Sequence, residues 1–241
     1  MRKLVFIFYL FFTFNIAAQT TDWVLSFGGT ESDKGISIGT DSLGFIYVSG
    51  FYNTSATFGS ITLSNSPASG TNKEVFLMKL DSLGNVLWAI TGGDGTGSCC
   101  DDRALGMHVT PGGYVYLTGT FWSSFYIGSC TVSNGNNHDS SLLTKIDPNG
   151  NCVWARSFGA NNTSGGCPYP IYDADDHSYD VKVDKDGFIY VTGFFSGFSA
   201  EFDAITITNP TWNSTCKVLG YIAKFDDSGN AIWADKFDGI K

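Results

Sequence analysis

Positive charge is scarce in this chain, and so is anything that would build a helix. Lys and Arg number 14 against 23 Asp and Glu, a net charge of −9. Such an acidic surface repels phosphate backbones, which argues against nucleic acid as a partner. Beyond the N-terminal segment no apolar stretch approaches the roughly 20 residues a bilayer span needs. No segment after it carries sustained 3.6-residue periodicity, which argues against a helical fold. Nucleophile elbow, P-loop, His-Glu-x-x-His and dinucleotide fingerprints are all missing, so no recognised catalytic motif organises the chain.

The one long apolar run is at the start. Arg2 and Lys3 form a basic end, Leu4 to Phe14 are apolar and aromatic with one Thr, and Ala17-Ala18 precede Gln19. This pattern predicts a cleaved secretory signal over residues 1–18, with no membrane span after cleavage, and a secreted or cell-surface mature chain from residue 19 to 241. The apolar run is too short for a membrane anchor. No cysteine sits at the cleavage site, which argues against a lipoprotein. Loss of Arg2 and Lys3 makes the mature chain more acidic still.

What the chain has in plenty is a repeat. Trp23, Trp88, Trp154 and Trp233 each open the same order of parts. Val86-Leu87-Trp88-Ala89 is matched by Cys152-Val153-Trp154-Ala155 and Ala231-Ile232-Trp233-Ala234. A glycine-rich stretch follows: Gly28-Gly29, Gly92-Gly93 and Gly159-Ala160. Next comes an alternating run, Ile36, Ile38, Thr40 in the first unit and Leu105, Met107, Val109 in the second. The third unit has Tyr179, Val181, Val183 there, and the alternation predicts a strand with one face buried. A tight turn then leads into Tyr47-Val48, Tyr116-Leu117 or Tyr190-Val191, a β-branched and aromatic strand. An excursion with its own strand-like piece comes next, and after it a strand ending in Lys79-Leu80-Asp81, Lys145-Ile146-Asp147 or Lys224-Phe225-Asp226. The turns read Asp-x-x-Gly, except Thr110-Pro111-Gly112-Gly113 in the second unit, with the Asp side chain capping and the Gly free to take positive φ.

Four short antiparallel strands per unit, repeated, predict an all-β fold of four-stranded meanders, the layout of β-propeller blades. The repeats run about 23–87, 88–153 and 154–232, with the start of a fourth at 233, so three complete units are present. A closed ring takes four to eight blades, so an incomplete propeller belonging to a longer array is expected.

The run of Trp, Gly-Gly, Asp-x-x-Gly, Tyr-Val-x-Gly-Phe and Lys-x-Asp-x-x-Gly-Asn resembles the SBBP β-propeller repeat family of secreted bacterial proteins. The resemblance covers about residues 22–241, and the third unit departs from it by an insertion between residues 159 and 177. It implies a bladed propeller within secreted or cell-surface proteins and carries no catalytic residues to transfer.

In a meander the tight turns share one face and the long loops, at 92–102, 122–140, 159–177 and 196–219, share the other. Trp122, Tyr169, Tyr172 and Trp212 fall in those loops, where aromatic side chains would stack on a glycan or anchor a protein ligand. Asp173, Asp175 and Asp176 lie close in sequence, with Asp101 and Asp102 in the preceding loop. Calcium is the cofactor such carboxylates would take, and a solvated acidic loop is the plainer reading. Asp184-Lys185-Asp186-Gly187 resembles a piece of a calcium loop but reads as an ordinary turn.

The six cysteines occupy no common repeat position. Cys99, Cys100 and Cys167 lie in equivalent loops, so a bridge from Cys167 to Cys99 or Cys100 is expected. Cys152 begins a strand at the tight-turn face and is expected not to pair with long-loop cysteines, because a strand's length separates the two faces. The leading functional expectation is a non-enzymatic binding or scaffold module. A polysaccharide-acting propeller enzyme and a structural spacer of a larger surface protein are the alternatives.

Overall fold

A computed structural model of the protein describes residues 22–64, 73–94, 102–134, 139–160, 176–210 and 217–237. The secretory signal expected over residues 1–18 lies outside those residues. Among them the fold is all-β, with 18 strands and no helix. No helix among the described residues is long and apolar enough to cross a membrane.

The strands fall into three units of six. The first holds β1 (Lys34–Thr40), β2 (Ile46–Asn53), β3 (Ser55–Phe58), β4 (Ile61–Ser64), β5 (Lys73–Leu80) and β6 (Val86–Gly93). The second holds β7 (Arg103–Val109), β8 (Val115–Trp122), β9 (Ser124–Ile127), β10 (Cys130–Ser133), β11 (Asp139–Ile146) and β12 (Cys152–Ala160). The third holds β13 (His177–Val183), β14 (Ile189–Phe195), β15 (Ser199–Phe202), β16 (Ile205–Thr208), β17 (Leu219–Phe225) and β18 (Ala231–Phe237).

In each unit the first, second, fifth and sixth strands form an antiparallel four-stranded sheet. The third and fourth form a hairpin that leaves its own sheet and adds to the last strand of the preceding one. Hairpin β9–β10 extends β6, giving the order β1-β2-β5-β6-β9-β10, and hairpin β15–β16 extends β12 in the same way. Hairpin β3–β4 bridges Gly28 through Thr57. The chain swings out of the second strand through Thr54 (φ 58°) and Ser123 (φ 60°), in left-handed backbone that non-glycine residues seldom adopt.

Every unit carries a β-bulge in its first strand, between Gly35 and Ser37, Ala104 and Gly106, and Ser178 and Asp180. The bulge drives a carbonyl onto the facing strand. A Cβ at Gly50, Gly119 or Gly193 would stand 1.9 Å from the carbonyl oxygen of Lys34, Arg103 or His177. This is why the Tyr-Val-x-Gly strand keeps its glycine.

Sheets are buried on both faces where they have neighbours. Leu142 and Leu143 are adjacent in β11 and point to opposite faces. Leu142 packs with Tyr47, Leu77 and Met107 between the first and second sheets, whereas Leu143 packs with Val181, Val191 and Tyr221 between the second and third. A third cluster joins Phe76 and Met78 to the hairpin residues Ala56, Phe58 and Leu63. The expected buried face of β1 is a correction: Ile36 and Ile38 are 41% and 73% exposed. Gly39 faces Met107 and Val109 of the second sheet instead. No sheet among the described residues covers the other side.

The turns follow the sequence reading. Asp41, Asp81, Asp147, Asp184 and Asp226 each accept two backbone N–H groups through Oδ1, from the residues two and four positions on. Asp184 is therefore a turn cap, as expected. The side-chain amide of Asn85 and the turn amides hold Asp81 below the usual carboxylate value of 3.8. Burial opposes the same effect at Asp147, where Asn151 and the turn amides prevail. A carboxylate depressed in the folded chain contributes stability above its unfolded value and loses it as pH falls through the folded value. The stability gap between the wild-type chain and Asp147→Ala, measured by urea unfolding, is expected to be widest above pH 3.8 and to close below it. A gap that does not change with pH contradicts this.

Candidate functional site: the junctions between sheets

The repeat's marker residues converge where one sheet meets the next. At the tight-turn end, the indole Nε1–H of Trp88 donates to the Pro148 carbonyl at 3.2 Å, and that of Trp154 to the Asp227 carbonyl at 3.1 Å. Trp23 does the same to Ser82 at 3.2 Å. Each acceptor lies in the last tight turn of the following unit. Tyr47 and Tyr116, on the second strand of the tryptophan's own sheet, meet the indoles of Trp88 and Trp154 edge-on at 6.0 and 6.1 Å.

A lysine reaches across beside the indoles of Trp88 and Trp154. Lys79 lies 4.2 Å from the Phe45 ring centre and donates to the Pro148 carbonyl at 3.2 Å. Lys145 lies 4.9 Å from the Tyr114 ring and bonds Asp227 Oδ1 at 2.6 Å. Tyr116 donates to the same oxygen at 2.6 Å. Burial raises Asp227, but the Lys145 and Tyr116 hydrogen bonds outweigh it and hold the carboxyl below its ordinary range. In the third unit Lys224 sits 3.7 Å from the Phe188 ring, and Trp233 meets Tyr190 at 6.4 Å. The grip is thus assembled there too, with Trp233 39% exposed.

At the opposite end a recurring aspartate closes the junction. Asp33 accepts the amides of Gly29 at 2.6 Å and Asn53 at 3.1 Å. Asp176 accepts the amides of Ala160 and Ser196. Asp102 accepts the Trp122 amide at 3.1 Å. Each ties the end of its unit's second strand to the start of the first, and each also reaches the end of the tryptophan strand before, Asp102 through the Asp94 amide. Sequence reading placed Asp102 and Asp176 in solvated acidic loops, which is a correction: both are about 1% exposed or less. The carboxylate of Asp176 is engaged with the backbone. The signal was present, since an acid directly precedes a basic residue at Asp33-Lys34, Asp102-Arg103 and Asp176-His177, one residue before or at the start of the first strand.

The first junction adds two acids that the second lacks. Glu74, Asp94 and Asp102 bring one carboxylate oxygen each within 4.8 Å of one another. Burial pushes Glu74 up to about 7, with the Asp94 charge adding to it. Burial also pushes Asp102 well up, with Glu74 and Asp94 adding. Neither Glu74 nor Asp94 was singled out by sequence reading.

The other expected site residues divide in two. Trp122 ends β8 half-buried, with its amide on Asp102. Tyr169, Tyr172, Trp212, Asp173, Asp175, Cys99, Cys100 and Cys167 lie outside the described residues.

The cysteines require a correction. Cys152 is bonded to Cys130, with Cα atoms 5.9 Å apart, although Cys130 belongs to the long excursion after β8. The expectation failed because that excursion is a hairpin, not a loop held at one end. Its tip runs down the edge to the start of its own unit's last strand. Ideal Cβ atoms on the tip glycines Gly59 and Gly128 would lie 3.4 Å from Val86 and 3.6 Å from Cys152, and Asp203 accepts the Ala231 amide at 2.6 Å. The bond closes a sequence separation of 22 residues, and chain-entropy arguments give such a closure about 3 kcal/mol. Thermal unfolding of the Cys130→Ser, Cys152→Ser double variant is expected to show a loss of about 2–4 kcal/mol, and reductant should do the same to the wild-type chain. Unchanged stability in both contradicts the pairing.

No family model matches the chain, and no curated protein matches it. Among solved structures it is similar to a protein of unknown function from Bacteroides caccae, at 10% identity over 86% of this chain and 83% of that one, with a TM-score of 0.29. A likeness this weak carries no argument about fold or function.

Proposed function

We propose that the chain is an SBBP-type β-propeller array, exported through its leader, that serves as a binding or scaffold module of a secreted or surface protein. The observation that carries this reading is the repeated junction: a tryptophan and a lysine of one sheet hold the tight turn of the next, three times over for the tryptophan. A rule applied identically from sheet to sheet generates either a ring or a superhelix. The strong twist of short antiparallel sheets packed face to face favours the ring.

The outermost faces support the same reading. Ile36 and Ile38 on β1 are exposed at one side, and Trp233 and Phe237 (55% exposed) at the other. Ile38 aligns with Met107 and Val181, and Phe237 with Phe158, and these counterparts are buried where a neighbouring sheet is present. In this proposal a further blade covers the outermost faces. The Cys130–Cys152 bond suits an oxidising compartment and so supports export.

The binding surface we assign to the loop end and outer edge. A groove of about 330 Å³ opens between hairpins, lined by Ser133, Asn134, Ser140, Gly159, Glu201 and Asp203. Its hydroxyls and carboxylates suit a hydroxylated ligand such as a glycan, with Trp122 nearby in sequence on the loop end for stacking.

The test is a chain extended by one further unit copied from residues 94–160. Its melting temperature is expected to rise by several degrees, because each junction adds a nearest-neighbour term. An experimental structure of it should place the sheets around one axis. Sheets in linear succession, or no gain in stability, would overturn the propeller reading.

A further inference from the structure

The acids at the first junction have an internal control. The second junction is built on the same plan, with Asp176 in the place of Asp102. There Ser140 stands where β5 has Glu74, and Ala160 stands where Asp94 follows β6. The second junction thus folds on the Asp176 clamp, with Asp139 beside it facing His177 at 3.7 Å. The first junction holds three carboxylates, drawn from three separate stretches of chain.

Two of the three are in the interior. Glu74 is 2% exposed and Asp102 is 1% exposed. Glu74 Oε2 is buried with no hydrogen-bond partner, whereas Asp102 accepts the backbone amides of Trp122 and Asp94. The Asp94 charge bears on Glu74, and the Glu74 and Asp94 charges bear on Asp102. Buried carboxylate oxygens without donors are destabilising by some kcal/mol each unless a cation or proton neutralises them. Tyr126, on the hairpin β9–β10, adds a phenol oxygen beside the cluster, raised by burial and then by these three carboxylates. Gly93 keeps the space open: a Cβ there would stand 1.6 Å from Glu74 Oε2.

We propose that Glu74, Asp94 and Asp102 form a calcium site that locks the first sheet to the second. An all-oxygen, carboxylate-rich donor set selects a hard divalent cation over zinc or copper. Oxygens within 4.8 Å of one another fit the coordination sphere of an ion bound at about 2.3–2.6 Å. Calcium also tolerates the irregular geometry that donors from β5, the end of β6 and the entry to β7 provide, whereas magnesium demands near-ideal octahedra. The ion joins two sheets at the loop end, opposite the tryptophan grip. This site is distinct from the Asp173, Asp175, Asp176 cluster that the sequence suggested, and it does not rest on the propeller reading.

Terbium, which replaces calcium and is sensitised by nearby tyrosine and tryptophan, tests this in the purified, oxidised full chain. Terbium luminescence is expected, with displacement by calcium at a dissociation constant of about 1 mM or tighter, the range of extracellular modules. Melting temperature should rise in millimolar calcium and fall in chelator. Glu74→Gln and Asp94→Asn remove acids that the second junction lacks, so both should fold, weaken binding at least about tenfold and melt independently of calcium. Three results would overturn the site. One is a wild-type chain that melts alike in calcium and chelator and gives no luminescence. Another is variants that bind as wild type does, which places the ion elsewhere. The third is a Glu74→Gln chain that is stabilised while the wild type ignores calcium, which assigns the cluster to a shared proton.

Discussion

The fold rests on sheets that are apolar on both faces. Adjacent residues such as Leu142 and Leu143 enter different cores, so β11 has no side to turn to water. Each sheet is then stable only between neighbours, and the junctions carry what isolated sheets cannot. Hairpins reinforce this by leaving the sheet they belong to and pairing with the one before. Backbone hydrogen bonds, apolar packing and side-chain grips thus all cross from unit to unit.

Two devices fix how far apart the sheets stand. At the tight-turn end, an indole N–H and an ammonium satisfy the last turn of the next unit, and both are steadied by tyrosine or phenylalanine rings. A charge held over aromatic faces and bonded to a carbonyl is directional, so it sets an angle as well as a distance. At the loop end a buried aspartate does the corresponding work with backbone amides. The two ends are chemically unlike. The tight-turn grip is nearly invariant among the units, whereas the loop end is where the first junction gains Glu74 and Asp94.

Local chemistry was the legible part of the sequence. The Asp-x-x-Gly turns, the strand runs from Lys34 onward and the strands of Trp88, Trp154 and Trp233 follow from propensity and turn rules and appear where the residues predict, whereas Trp23 lies in no strand. What could not be read was long-range. Strand-like Ile61-Thr62-Leu63 announces a strand but not its partner, and its partner sheet decides where Cys130 ends up. Alternation in Ile36, Ile38 and Thr40 announces a face meant for burial, but whether another sheet lies against it is not a local property. Asp102 and Asp176 look like solvated loop acids because their partners are amides in segments distant in sequence. Glu74 looked like an ordinary charged strand end, and only the fold brings it to Asp94 and Asp102.

If stability lies in the junctions, disturbing one indole should loosen the sheet it grips as well as the sheet it belongs to. Native-state hydrogen exchange on Trp154→Ala reports this residue by residue. The account predicts lost protection in the turn at 226–230 and in β17 and β18, together with β12. Loss confined to β12, with the third sheet as protected as in the wild type, would contradict it.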